Sequence, residues 1–299
     1  MTAVALVTAF LAGAYAVAVL ETWTTTGRLR PTAPLVAGLA LLGRESVVPR
    51  RPDRLLFESA PVLLLTAALL AAAVLPLAPG LVAADLATGA LFVNAAWAYV
   101  MVALVMAGWG PNGAYAMVAG WRFLGQLVAY AMLIVMPIAT VGMRAESLAT
   151  TAVVRSQEGA WNAVTQPVGF ILFFLAAMAV AFIPPFDLPT APGELAAGVS
   201  AEYTGARLAI FRLARIALVV TLASAVAVFY LGGWLGPLLP PPAWTGIKSL
   251  GVVAVMLVAG RYLPRIRAAH LLEWTWKLGI PLALFNIAWV GITLWWVDR

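Results

Sequence analysis

Eight mainly apolar stretches run through this chain, most of them near the roughly 20 residues that a helix needs to cross a bilayer core. Their expected limits are Ala3 to Leu20, Leu55 to Leu75, Leu86 to Ala107, Met117 to Val141, Thr165 to Ile183, Leu208 to Leu231, Ile247 to Ala259 and Leu278 to Trp296. Only 10% of the 299 residues are charged and 64% are hydrophobic, against roughly a quarter charged in soluble domains. The expected fold is therefore all-α: a polytopic membrane helical bundle of about eight transmembrane helices, treated as one domain over residues 1–299. The first span has no basic segment before it and no small-residue cleavage site after it, so it is expected to be retained.

Charge asymmetry orients the bundle. The first, third, fifth and seventh connections carry Arg28, Arg30, Arg44, Arg50, Arg51, Arg54, Arg122, Arg207, Arg212, Arg215, Arg261, Arg265, Arg267 and Lys277. The other side keeps only Arg144, Arg155, Lys248 and Arg299. The positive-inside bias then puts both termini outside and the basic loops in the cytoplasm: a long loop over 22–53, a second over 184–207 and a third over 261–277. The net charge of +6 reads as topology and lipid contact, and nucleic acid is not an expected partner. The tryptophans, among them Trp234, Trp244, Trp274, Trp276, Trp295 and Trp296, gather near the predicted span ends, where their rings anchor helices at the interface.

The chain has no cysteine and one histidine, His270. Disulfides, thiolate-held iron–sulfur clusters and cysteine zinc sites are excluded, and an imidazole metal or haem site has too few ligands. No metal site and no bound cofactor are expected, so any redox group must sit in a partner. His270, among basic residues, reads as a solvated side chain.

The richest junction follows the fifth apolar run, which stops at Pro184-Pro185-Phe186-Asp187-Leu188-Pro189, with Glu194 and Glu202-Tyr203 soon after. A carboxylate at the foot of a membrane helix, held by prolines in a non-helical loop, is costly unless it is paired, solvated or in use. A proline-rich loop with solvated acids is the plain alternative. In the first basic loop Leu35, Leu39, Leu41 and Leu42 recur at near-helical spacing beside arginines, as in an amphipathic segment lying on a membrane surface or a partner. Glu58, one turn beyond Arg54, reads as its ion-pair partner. Arg122 and Gln126 share a helix face, either as packing or as the wall of a chamber.

Further motifs stand in order along the chain: Glu21 closing the first span, Gly27-Arg28-Leu29-Arg30-Pro31, Arg44-Glu45 with Pro49, and Asp53-Arg54-Leu55-Leu56-Phe57 with Ala60-Pro61. Gly108-Trp109, Asn112, Tyr115-Ala116, Arg122, Gln126 and Tyr130 follow. After the Pro-Phe-Asp junction come Glu194-Leu195, Ala197-Gly198, Glu202-Tyr203 and Gly205, then Arg261, Leu263-Pro264-Arg265, Arg267, Trp276-Lys277, Pro281-Leu282-Ala283-Leu284 and Asn286. Over nearly its whole length the chain resembles the H-type membrane subunit of respiratory complex I, the NADH-quinone oxidoreductase.

That resemblance implies an eight-span membrane subunit of a proton-translocating NADH:quinone oxidoreductase in the inner (plasma) membrane. It would form the entrance of the quinone chamber and link quinone reduction to ion translocation, with no activity as an isolated chain. Quinone would be the substrate. Flavin and iron–sulfur clusters would lie in partner subunits, and the partners would be other membrane and peripheral subunits, with lipid around them. By the same resemblance Arg28, Arg30, Phe186, Asp187, Glu194 and Glu202 line or gate the entrance, and Glu21, Glu45, Asp187, Glu194 and Glu202 are the proton-relay candidates. The chain departs from the family pattern where an Ala-Glu-x-Asn-Arg-like sequence is usual and Ala179-Val180-Ala181-Phe182-Ile183 stands. Thr190, Pro192, Arg215 and Ala131 also occupy places where the family tends to have glutamate. A structural or ion-transport subunit of a reduced complex I-like or hydrogenase-like assembly, without the NADH module, is the alternative these departures keep open.

Overall fold

The computed structural model describes residues 2–190 and 194–297; Pro192 and Arg299 fall outside the described residues. All regular structure among them is helical: α1 (Thr2–Thr26), α2 (Ala33–Leu42), α3 (Arg54–Val74), α4 (Gly89–Trp109), α5 (Ala114–Ala145), α6 (Thr150–Arg155), α7 (Asn162–Thr165), α8 (Pro167–Val180), α9 (Gly205–Tyr230), α10 (Pro241–Tyr262), α11 (Ala268–Trp274) and α12 (Ile280–Val297). A π turn, Thr275–Gly279, joins α11 to α12, and a single 3-10 turn spans Gly198–Ser200.

Among the described residues, seven helices are long and apolar enough to cross a membrane: α1, α3, α4, α5, α9, α10 and the continuous run Ala268–Trp296. This is a multi-pass membrane protein. The predicted fifth full-length span, Thr165 to Ile183, is corrected to a 14-residue helix, α8. At 1.5 Å per residue it is about 21 Å long, short of the roughly 30 Å hydrocarbon core. Its start is broken at Gln166 (φ −134°), and Phe182 takes a left-handed φ of 53° just before the prolines. The segment nevertheless runs the length of the bundle. Gln126, in the first half of α5, donates to Ala179 O near the end of α8, whereas Gly169 at its start donates to Asn286 and lies beside Tyr230, the last residue of α9. α5 and α9 point the same way, so a return pass must lie between them, and α8 is that pass. Its non-helical ends are buried in protein, the setting in which irregular backbone is tolerated at membrane depth.

α9 forms the centre, buried almost continuously from Ala217 to Tyr230, with α3, α10 and α8 against it and α4 and α5 beyond. Small side chains allow this packing, as is general between membrane helices: Ala60, Ala67, Ala68 and Ala71 on α3, and Ala96, Ala103 and Ala107 on α4. At the α4–α5 turn a Cβ on Gly108 would lie 2.8 Å from Ala116 O. Asp53 caps α3, accepting from Leu56 N at 3.4 Å.

The other predicted ends shift by a few residues, with one larger change. The last helix begins at Ala268 instead of Leu278, because Leu271, Leu272 and Trp274 continue the helical run, so the third basic loop shrinks to 263–267. The helix expected in the first loop exists, but it is not amphipathic: Ala33–Leu42 contains no polar side chain, and Leu35, Val36, Leu39 and Leu42 are exposed. The two charge populations are separated as expected. At the end opposite the arginine-rich one, Arg144 donates to Asn162, Thr165 and Ala160 O. Lys248 Nζ there donates to the carbonyls of Leu231, Gly233 and Leu235 between the rings of Trp161 and Trp244.

Candidate functional site

At the basic end, a cavity of about 790 Å³ opens between α1, residues 182–190 and 196–203, α9 and α10. It exists because the chain after α8 cannot stay helical. Pro184, Pro185 and Pro189 remove backbone donors, and the loop folds back on itself through Gly198 (φ 58°), where a Cβ would lie 1.9 Å from Pro189 O. Val199 N donates to that carbonyl at 3.1 Å. The buried Gln126 amide pins this fold to α5, donating to Ala179 O at 2.8 Å and to Phe186 O at 2.9 Å.

Two ion pairs stand at the cavity. Asp187, 6% exposed, holds Arg265 at 3.0 Å, and Ile266 N donates to Pro185 O, so the 263–267 loop is clamped onto the Pro-Phe-Asp turn. Glu21, near the end of α1, pairs with Arg215 of α9 at 2.9 Å, and both are about a third exposed. Arg261 donates to Thr24 O at 2.7 Å, and Arg212 also lines the space. Phe182, Ile183, Phe211 and Leu257 supply apolar wall. Four guanidinium groups thus face two carboxylates in a partly desolvated space, where a change of charge is felt more strongly than in water.

The remaining sequence-derived candidates do not line this cavity. Phe186 is buried behind Asp187, its carbonyl held by Gln126. Glu194 is exposed and bonds to Arg122 at 2.6 Å, which holds its carboxyl below the ordinary range. Glu202 packs against Gly113, where a Cβ would sit 3.0 Å from Oε1, and has no ion-pair partner among the described residues. Arg28, Arg30 and Glu45 are exposed; the carbonyls of Arg44 and Glu45 crowd Gly205. Arg122 and Gln126 therefore divide their expected roles: one binds the outside of the loop, the other packs inside it.

Several lining residues were not singled out from sequence as site residues. Tyr203 is 1% exposed, stacks on Phe57 at 4.6 Å between ring centroids and donates to Phe57 O at 3.2 Å. Burial, with the Glu58 charge adding to it, pushes its hydroxyl up. Arg212 and Arg215, three apart at the start of a span, were legible as two charges on one helical stripe, though their partner was not. Glu58 does not pair with Arg54 as expected; it makes a two-point contact with Arg207 at 2.5 and 2.8 Å, because α9 brings that guanidinium over Phe57. Ser46 also accepts from Arg207.

A family model described as NADH dehydrogenase matches residues 23–291 of this chain. The chain belongs to the NADH dehydrogenase family. Among its relatives in that family, the NADH-quinone oxidoreductase H subunit of Syntrophotalea carbinolica is 35% identical over 279 residues, covering 90% of this chain and 84% of the relative. The NADH-quinone oxidoreductase H subunit 2 of Syntrophobacter fumaroxidans is 36% identical over 282 residues, covering 91% and 84%. Within this NADH dehydrogenase family match lie Asp187, Arg215, Arg261 and Arg265, whereas Glu21 falls two residues before it.

Proposed function

We propose that this chain is a membrane subunit of a proton-translocating NADH:quinone oxidoreductase of the inner membrane, and that its basic-end cavity is the entrance of the quinone chamber. The observation that carries the reading is the pairing of an apolar wall with two carboxylate–guanidinium pairs in one 790 Å³ space. A quinone offers a flat apolar ring and two carbonyl oxygens. Its reduction to quinol takes two electrons and two protons. In this reading the electrons come from flavin and iron–sulfur clusters in partner subunits. The chain's own residues act on charge and protons: Phe182 and Phe211 receive the ring, and Arg215 and Arg265 stabilise negative charge gathering on a quinone oxygen. As either guanidinium turns toward that oxygen, its carboxylate partner is left without its counter-ion. Glu21 and Asp187 would then pass the two protons of the reduction, drawn from water at the basic end, to the quinone oxygens.

Asp187→Asn in the assembled complex should lower quinone reductase activity by about 10²-fold, the usual scale for losing a positioned proton-transfer group. Unchanged activity at normal assembly would remove Asp187 from the site. A second reading, a subunit of a reduced complex without the NADH module, is favoured by Ala179 to Ile183, where every side chain is apolar and buried. Mild-detergent purification of the tagged chain separates the two. Flavin and iron–sulfur subunits among the co-purifying proteins support the first reading, and antiporter-like membrane subunits alone support the second.

A further inference from the structure

The charges lining the basic-end cavity do not balance. Its guanidinium groups are those of Arg212, Arg215, Arg261 and Arg265, and its carboxylates are those of Glu21 and Asp187. Both carboxylates are taken, Glu21 by Arg215 and Asp187 by Arg265. The other two cations have no anionic partner among the described residues. Arg261 donates to a neutral carbonyl, Thr24 O. Arg212, exposed in the second turn of α9, has neither a hydrogen bond nor an ion pair. Arg215 Nε is buried and has no acceptor either.

The depth of these groups matters. α9 has 26 residues and is about 39 Å long, roughly 9 Å more than a hydrocarbon core. Its buried stretch runs from Ala217 to Tyr230, so the excess length falls at the arginine-bearing start. Arg212, and Arg261 in the last turn of α10, therefore stand at headgroup level. Two guanidinium groups without a counter-ion, beside a buried N–H, supply positive charge and donors that nothing on the protein receives. A quinone brings carbonyl acceptors but no charge. A phosphate brings both, and its oxygens match the guanidinium fork; basic pockets between membrane helices hold such groups. We infer that Arg212 and Arg261, with Arg215 Nε, form a binding site for a phosphate-bearing anion at the mouth of the cavity, supplied as the headgroup of an anionic phospholipid or as free phosphate. The inference stands on the unpaired cations and does not depend on the quinone reading.

Two measurements on the purified complex test it. In the first, phospholipid that stays bound through mild-detergent purification is quantified by mass spectrometry. In the second, the complex stripped of lipid is dialysed to equilibrium against radiolabelled inorganic phosphate. Arg212 touches no partner in the protein, so Arg212→Gln should leave the chain's membrane level unchanged while binding in one or both measurements falls about ten-fold, the scale of one lost charge-assisted contact. Arg261→Gln, on the opposite wall, should do the same and serves where the first variant does not assemble. A loss confined to retained phospholipid makes the ligand a lipid headgroup, and a loss of saturable phosphate binding makes it a soluble anion. Native binding in both measurements for these variants would overturn the inference. So would an equal loss in Arg267→Gln, because Arg267 lies exposed outside the cavity and its effect would show diffuse surface charge instead of a site. Neither readout involves quinone reduction, so failure of the quinone reading leaves the result standing.

Discussion

Asp187 and Glu194 are seven residues apart in one loop, yet their charges answer to different physics. Asp187 is buried against a half-exposed Arg265. Removing the arginine alone strands a desolvated carboxylate, so Arg265→Met should cost about 3 kcal/mol, whereas Asp187→Asn, which leaves no buried charge, should cost nearer 1 kcal/mol. Thermal unfolding of the two variants in one detergent decides this ordering. Glu194 is solvent-exposed, and the Arg122 hydrogen bond depresses its pKa. A depressed carboxylate contributes stability above its ordinary pKa and loses it as pH falls through the lower, folded value. Glu194→Gln should therefore unfold at a lower temperature than the native protein at pH 6, with the difference closing below about pH 4, the ordinary carboxylate range. A gap that persists at low pH would mean the pair contributes nothing through charge.

At the scale of elements, glycine positions show which turns are dictated by space. Gly198 sits at φ 58° with Pro189 O where a Cβ would go, while Gly246, early in α10, has no atom within 4 Å of that position. Gly198→Ala should dismantle the turn that places Asp187 and lower the yield of folded chain, whereas Gly246→Ala should stabilise by about 0.5–1 kcal/mol through helix propensity. Comparing membrane yield and unfolding temperature for the pair checks both. The long helices were legible in the sequence because runs of about twenty apolar residues have few other solutions. α8 was not: Gln166 and Phe182 interrupt it, and neither a single amide nor an aromatic residue announces a helix end inside an apolar stretch. The site was half legible. The prolines flag Asp187, but the Glu21–Arg215 and Asp187–Arg265 pairs join residues far apart in sequence, and only the packing of α1 and α10 against α9 brings them together.

Across the whole molecule, the two ends differ in how many cations they carry and how many of those are exposed. At the far end Arg144 and Lys248 are spent on carbonyls, amides and hydroxyls of the protein itself. At the basic end many arginines stay open to solvent, Arg28, Arg30, Arg212 and Arg267 among them. Few cations at the far end, where Arg155 is exposed, and many at the basic end is the distribution that the positive-inside bias selects for a translocated and a retained side. The chain has no cysteine, so single replacements report orientation without background. In intact cells Glu158→Cys, exposed at the far end, should react with a membrane-impermeant maleimide. Arg267→Cys, exposed at the basic end, should react only after the membrane is opened. The reverse pattern would invert the bundle and turn its cavity away from any cytoplasmic electron donor, so the same labelling decides whether the proposed quinone chemistry has access to its electrons.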